Sequence, residues 1–105
     1  MREAGEIFDP KDRYVLVAFD TGGAVACSLR VDPDGCTWAA ATFEVVFSQS
    51  RNGPFAPVAP SPGTLTSSSP SSGRVDCSWF RYVGIRGVAP ETNPQTVRCR
   101  ANFLD

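Results

Sequence analysis

The chain has 105 residues, a net charge of -1 at pH 7 and a hydrophobic content of 42%. This length fits one domain with a single core, and the apolar content excludes a wholly disordered chain. The near-zero charge excludes a general electrostatic attraction to nucleic acid, so no nucleic-acid partner is predicted. Gly and Pro contribute nine residues each, which favours short strands and tight turns over long helices.

The N-terminal segment differs from the rest of the chain because it is mostly polar. We predict that residues 1–13 form an extended arm outside the folded domain. The first residues are charged and lack the apolar core of a signal peptide, so we expect synthesis in the cytoplasm without export. No run of about 18 apolar residues occurs anywhere, so the sequence predicts no membrane contact.

The first two predicted strands follow this arm. Residues 14–19 form an apolar, β-rich run that is typical of a buried strand. Residues 24–31 alternate between apolar and polar types, which predicts a half-buried strand. An Asp-Pro-Asp-Gly sequence at 32–35 predicts the turn that ends it. The inward face of the second strand is predicted to carry Val25, Cys27, Leu29 and Val31.

The longest predicted strand covers residues 37–49. Phe43, Val45 and Phe47 alternate with other residues along it and are expected to face the core. Three consecutive alanines also permit a helix over 38–47, but the β-branched and aromatic residues that follow favour a strand.

A turn and a biased loop follow this strand. The sequence Ser-Arg-Asn-Gly at 50–53 predicts a hairpin turn, after which residues 55–58 return as a short strand. Residues 59–73 are rich in Ser and Pro and are interpreted as a surface loop. Within that loop, residues 64–66 are compatible with a brief edge strand.

Two further segments complete the predicted fold. Residues 75–88 are rich in apolar side chains, with Val83 and Ile85 inward, and residues 96–103 alternate cleanly. Seven or eight strands at this spacing predict an all-β fold, a single antiparallel β-sandwich of jelly-roll or immunoglobulin-like type over residues 14–105. The inward positions of the last strand are Val97, Cys99, Ala101 and Phe103.

The sequence offers no catalytic, cofactor or metal site. Histidine is absent, which excludes Ser-His and Cys-His catalysis, and no Cys-x-x-Cys pair indicates zinc. The 11 acidic residues leave a paired-carboxylate site open. Most of them lie in predicted turns or in the arm, where acids are normally solvated. We therefore predict that the protein is not an enzyme and binds no cofactor.

The four cysteines permit three complete disulfide pairings. Cys27 and Cys99 fall on inward strand positions and are interpreted as small core residues. Cys36 and Cys77 lie beside predicted turns. Because no export signal is visible, reduced thiols are favoured over disulfides.

Aromatic and basic residues are the candidate contact groups. Four aromatic residues form either a platform for a sugar ring or a partner protein, or part of the core. These are Trp38, Trp79, Phe80 and Tyr82. Four arginines lie on the last two predicted strands, and if those strands pair, the outward ones form a basic stripe. This stripe is either a solvated face or a patch that docks onto an acidic partner. Its candidates are Arg81, Arg86, Arg98 and Arg100.

Two segments carry a resemblance to known modules. Residues 43–55 read FEVVFSQSRNGPF, an alternating strand that runs into a Ser-x-Asn-Gly turn and an aromatic. Residues 79–88 read WFRYVGIRGV, an aromatic-Val-x-Ile-x-Val pattern. The combination is similar to virion proteins of tailed bacteriophages, including head decoration (cement) and tail components, and to carbohydrate-binding and discoidin-like modules. The resemblance covers residues 37–103. It departs from the pattern at Phe55, where Trp is common, and at the Ser/Pro-rich insertion.

This resemblance implies a virion structural protein that stabilises the capsid shell or tail without catalysis. Its partners would be capsid or tail subunits and further copies of itself, often as a trimer. The alternative is a carbohydrate-binding or host-attachment module with a glycan ligand. The residues expected to make contact are Phe8, Arg13, Trp79, Phe80, Tyr82, Arg86, Arg98 and Arg100.

Overall fold

Eight strands account for most of the described chain. The computed structural model describes residues 2–9, 16–33, 41–57, 64–89 and 97–104, and within these ranges it contains strands and no helix. The strands are β1 (Arg2–Phe8), β2 (Leu16–Asp20), β3 (Ala26–Pro33), β4 (Thr42–Ser48), β5 (Thr64–Leu65), β6 (Val75–Asp76), β7 (Tyr82–Ala89) and β8 (Val97–Leu104).

The strands form two four-stranded antiparallel sheets. The β1 sheet has the order β1-β8-β3-β6, and the β2 sheet has the order β2-β7-β4-β5. Their inner faces share one hydrophobic core, as expected for two sheets that each have one apolar face. The predicted antiparallel sandwich of seven or eight strands is therefore confirmed.

The period-two spacing places the core residues. The inward positions predicted on β4, β7 and β8 are all buried, as are those predicted within β3. The largest fully buried side chains come from both sheets, so the core lies between them. They include Leu29, Phe43, Ile85 and Phe103.

Two predicted core positions are wrong. Val25 is 49% exposed because it precedes β3, at the end of the β1 sheet, where its N–H donates to the Leu104 carbonyl at 2.9 Å. Ala24 and Ala26 are buried in its place. The described part of the run over residues 14–19, which is residues 16–19, is half-buried rather than buried, since Leu16 is 44% exposed on the outer face of β2.

The predicted N-terminal arm is an edge strand where it is described. Residues 2–8 are extended, and they pair with β8 along their whole length, from Arg2 opposite Phe103 to Phe8 opposite Val97. Hydrophobic packing explains this pairing, because Ala4 and Phe8 occupy inward positions and pack on the core. Residues 10–13 lie outside the described residues.

The turn and loop after β4 are largely as expected. Gly53 donates its N–H to the Ser50 carbonyl at 3.0 Å, and its φ of 82° is the left-handed conformation that the Asn-Gly turn predicts. Ala56 then forms a single bridge with Phe47. The predicted brief strand in the Ser/Pro-rich segment is β5.

The second half of the Ser/Pro-rich segment is tied to the sandwich rather than free of it. Ser72 donates its N–H to the Leu29 carbonyl at 2.8 Å, and Val31 donates to the Pro70 carbonyl at 3.1 Å. The Ser72 hydroxyl also accepts the Leu29 N–H at 3.0 Å. This segment therefore forms hydrogen bonds with backbone groups of β3 that β6 leaves unpaired. The Ser/Pro-rich composition alone does not predict this contact.

Candidate interaction surface

Trp79 is the most exposed large hydrophobic residue described, with 78% of its surface accessible. It lies in the turn between β6 and β7, which closes where the Phe80 N–H donates to the Cys77 carbonyl at 3.0 Å. Indole surface of this extent is normally buried in a core or an interface. The turn thus presents a rigid aromatic group to solvent.

Contacts from two other loops hold this turn in place. Thr21 donates its N–H to the Arg81 carbonyl and its hydroxyl to the Phe80 carbonyl, both at 2.8 Å. The Gln49 amide donates to the Trp79 carbonyl. The backbone carbonyls of residues 79, 80 and 81 therefore each accept a hydrogen bond, while the Trp79 indole itself is exposed to solvent. We call this region, residues 20–24, Gln49 and 77–81, the Trp79 end.

The predicted aromatic cluster does not form a platform among its described members. The Phe80 ring lies 5.0 Å from the Phe47 ring and packs against the core. Tyr82 lies on the outer face of the β2 sheet, opposite Asp20 and Ser48. Trp79 alone is freely presented, and Trp38 lies outside the described residues.

Asp20 and Arg81 form the charged part of the Trp79 end. The Arg81 Nε lies 3.2 Å from Asp20 Oδ1, and Asp20 Oδ1 also accepts the Gly22 N–H at 2.8 Å. The Gly22 hydrogen bond, followed by that from Arg81, lowers the pKa of Asp20 below its ordinary value of 3.8. The same ion pair raises the pKa of Arg81.

Arg2 connects this end to the other sheet. Its guanidinium donates to the Asp20 carbonyl at 3.2 Å and to the Thr21 carbonyl, and it lies 4.3 Å from the centre of the Phe103 ring. The β2–β3 loop is therefore fixed to the first strand of the β1 sheet. Sequence reasoning missed this role because Arg2 lies in a polar segment with no strand pattern that marks it.

The condition for a basic stripe is not met. The stripe required β7 and β8 to pair, but these strands lie in different sheets. Arg86 is on the outer face of the β2 sheet, where it pairs with Glu44 and donates to the Phe55 carbonyl at 2.9 Å. Arg98 and Arg100 are on the outer face of the β1 sheet, so the four arginines fall into three separate places.

The outer face of the β1 sheet carries two guanidinium groups that form no hydrogen bond or ion pair with a described residue. Arg100 lies between Gly5 on β1 and Arg30 on β3. Arg30 pairs with Asp32 at 2.7 Å, whereas neither Arg98 nor Arg100 has a hydrogen bond or ion pair with any described residue. We call these two residues the Arg98–Arg100 face.

The remaining predicted contact residues are less available. Phe8 is half-buried and meets the Phe43 ring edge-on, with centroids 5.6 Å apart, so it serves the core. Arg13 lies outside the described residues. Among the described residues, no group of three or more acidic or thiol side chains is arranged to hold a metal ion, and no helix is long and apolar enough to cross a membrane.

Comparison with known proteins identifies the fold but no family. No protein-family model matches the chain, and no curated protein matches it. The solved structure of the SPBc2 prophage-derived protein YomS is similar, with a TM-score of 0.57, 9% identity, and coverage of 96% of this chain and 95% of YomS. The PBSX exported protein XepA is also similar, with a TM-score of 0.52 and 13% identity over 96% of this chain but only 38% of XepA. At these identities the likeness establishes a shared fold.

Proposed function

We propose that this chain is a non-catalytic structural protein of a tailed-phage particle, and that it works by protein-protein contact through the Trp79 end. The exposed Trp79 indole on a fixed turn carries the proposal. The fold shared with the prophage-derived YomS over nearly the full length of both chains supports the phage assignment.

Trp79 has the properties of an interface anchor. Tryptophan is enriched among residues whose truncation costs about 2 kcal/mol or more of binding free energy. Its turn is already ordered by Thr21, Gln49 and the core packing of Phe80, so docking would cost little further backbone entropy. Arg81 and Asp20 beside it supply a polar rim that can exchange its internal ion pair for contacts with a partner.

The Arg98–Arg100 face is the second contact surface in this proposal. Two guanidinium groups without partners among the described residues suit carboxylates on a neighbouring capsid or tail subunit. Such exposed pairs contribute little affinity each, but they orient the approach and make it sensitive to salt. The protein would act as a homo-oligomer, often a trimer in such particles, so that weak contacts combine through multivalency.

Composition of purified particles tests the proposal directly. Particles from the phage or lysogen that encodes the chain should contain it at a fixed stoichiometry in a mass-spectrometric inventory, and the isolated chain should be larger than a monomer in light scattering. The description of XepA as exported belongs to that protein, and recovery of this chain only outside particles would identify a secreted role instead. A monomer absent from every particle contradicts the proposal.

A pair of matched variants tests the role of Trp79. We expect W79A to keep the thermal unfolding midpoint of the wild type and to be lost from particles. The control V88A removes another exposed apolar side chain, 49% accessible, near the end of β7 farthest from Tyr82 and outside both proposed contact surfaces, and should assemble normally. Equal incorporation of both variants would show that Trp79 is not the anchor.

A carbohydrate-binding or host-attachment module is the second candidate, and the same exposed indole favours it, because aromatic faces stack on sugar rings. Because Trp79 is separated from Phe80 and Tyr82, it is the single ring of these three that is presented for stacking on a sugar, whereas the sequence allowed a platform of several rings. Saturable binding on a glycan array that W79A abolishes would replace the architectural function with this one. No binding above background would exclude it for the glycans on the array.

A further inference from the structure

Cys27 and Cys77 meet inside the core although they are far apart in the sequence. Cys27 lies in β3 opposite Val75 of β6. Cys77 follows β6 and donates its N–H to the Val25 carbonyl at 3.2 Å, which extends the ladder by one residue. The two cysteines are thus diagonal neighbours on adjacent strands. Both are buried, with at most 3% of their surface exposed.

The two thiols are near enough for each to shift the pKa of the other. The Cys77 thiol also donates a hydrogen bond to the Ala24 carbonyl at 3.4 Å. Cys99 provides the contrast within the same core, since it lies on β8 between Glu6 and Val31. Both Cys27 and Cys77 are reduced in this structure.

We infer that Cys27 and Cys77 form a redox-active dithiol, which a small-molecule disulfide converts into an intrachain disulfide that fastens β6 and the Trp79 turn to β3. The Cys77 thiolate attacks one sulfur of the small disulfide and releases one thiol. Cys27 then loses its proton to solvent and attacks the Cys77 sulfur, which releases the second thiol. Two protein thiols lose two electrons and two protons, and one small disulfide is reduced to two thiols.

Cys77 directly follows the shortest pairing in its sheet, so we assign it as the sulfur that an oxidant reaches first. Burial raises the pKa of both thiols. Hydrogen bonding with Cys27 lowers the pKa of Cys77, whereas the charges of Asp76 and Arg2 act on it in opposite directions. Cys77 therefore reacts first and Cys27 resolves the intermediate. Because β6 pairs through only two residues, local opening there is the route by which an oxidant enters.

The proposed disulfide would attach the Trp79 end covalently to β3. Cys77 begins the turn that carries Trp79, and it is held to β3 chiefly by the short β6 ladder. A covalent link across the long loop between the two cysteines should raise the thermal unfolding midpoint by on the order of 10 °C. This inference stands apart from the proposed function, because it concerns a bond within the chain and no partner.

Oxidation of the folded full-length chain with oxidised glutathione tests the inference. After acid quenching and tryptic digestion, we expect a linked product of peptides 14–30 and 75–81, with two of the four thiols consumed. The oxidised wild-type chain should unfold at a higher temperature than the reduced chain, and dithiothreitol should reverse the rise. This comparison uses one chain in two states, so it does not depend on whether a variant folds.

Two variants complete the test. C99A should still form the link. C77A should not form it, and its count of free thiols should not fall by two after oxidation. A link through Cys36, a stable glutathione adduct without a crosslink, or reaction only after denaturation would each overturn the inference.

Discussion

The outer faces of the two sheets use the same residue types in different ways. On the β2 sheet, Arg86 is bound by Glu44 and by the Phe55 carbonyl. Outward-facing Val46 is fully buried, and the Phe55 carbonyl reaches Arg86 on this same face. On the β1 sheet, Arg98 and Arg100 have no partner among the described residues. The first face is partly covered by its own chain, and the arginines of the second have no such cover.

This difference separates structural arginines from contact arginines. An outward position on a strand is not by itself an exposed or available position, since a crossing segment can cover it. Availability depends on whether the chain supplies its own carboxylate or carbonyl nearby. Among the arginines of the described strands, Arg98 and Arg100 have no described partner, and the Trp79 indole is exposed, so we place the proposed contacts there.

The largest expected effect concerns the outward glycines of the two faces. A Cβ at Gly84 of β7 would lie 2.0 Å from the Val17 carbonyl oxygen, whereas a Cβ at Gly5 of β1 would lie 3.4 Å from the Cys99 carbonyl oxygen. We expect G84A to lower the free energy of unfolding by about 3 kcal/mol or more, because backbone blocks the methyl group. G5A should change it by less than about 0.5 kcal/mol. Urea denaturation measures both, and equal stability would contradict the close approach of β2 and β7.

A smaller effect is expected from the arginines themselves. R86A should lower the free energy of unfolding by about 1 to 2 kcal/mol, since it removes charged hydrogen bonds to Glu44 and the Phe55 carbonyl from a partly exposed site. R100A should cost less than about 0.5 kcal/mol, because no described residue depends on it. Thermal unfolding of the two variants in parallel checks this ranking. If R100A were the more destabilising, the β1-sheet face would not be open.

The acid dependence of the Trp79 end is the smallest expected effect. The folded pKa of Asp20 lies below 3.8, so its ion pair and hydrogen bonds stabilise the fold fully above that pH. Their contribution is lost as the pH falls through the folded pKa. D20N should therefore differ most from the wild type near neutral pH, and the two unfolding midpoints should converge below about pH 4. A gap that stays constant down to pH 2 would show that the Asp20 charge plays no part.

Strand periodicity predicted the core better than it predicted the surface. Phe43, Val45 and Val83 are buried as the alternation requires, because burial on a strand follows from the direction of each Cβ. The sequence left an aromatic platform open beside core packing, and a basic stripe open beside a solvated face. Neither the platform nor the stripe forms among the described residues. Phe80 packs on the core while Trp79 is exposed, and β7 and β8 lie in different sheets.

Local sequence therefore determined the class of fold: short strands, their inward positions, the Asn-Gly turn and the lack of a histidine-based catalytic site. Tertiary structure decided which strands became neighbours, that β1 joined the sheet, that Trp79 points outward while Phe80 points inward, and that Cys27 and Cys77 lie on neighbouring segments. The physical reason is that side-chain alternation is a property of a few consecutive residues. Sheet order depends on pairings between distant segments, which no single strand encodes.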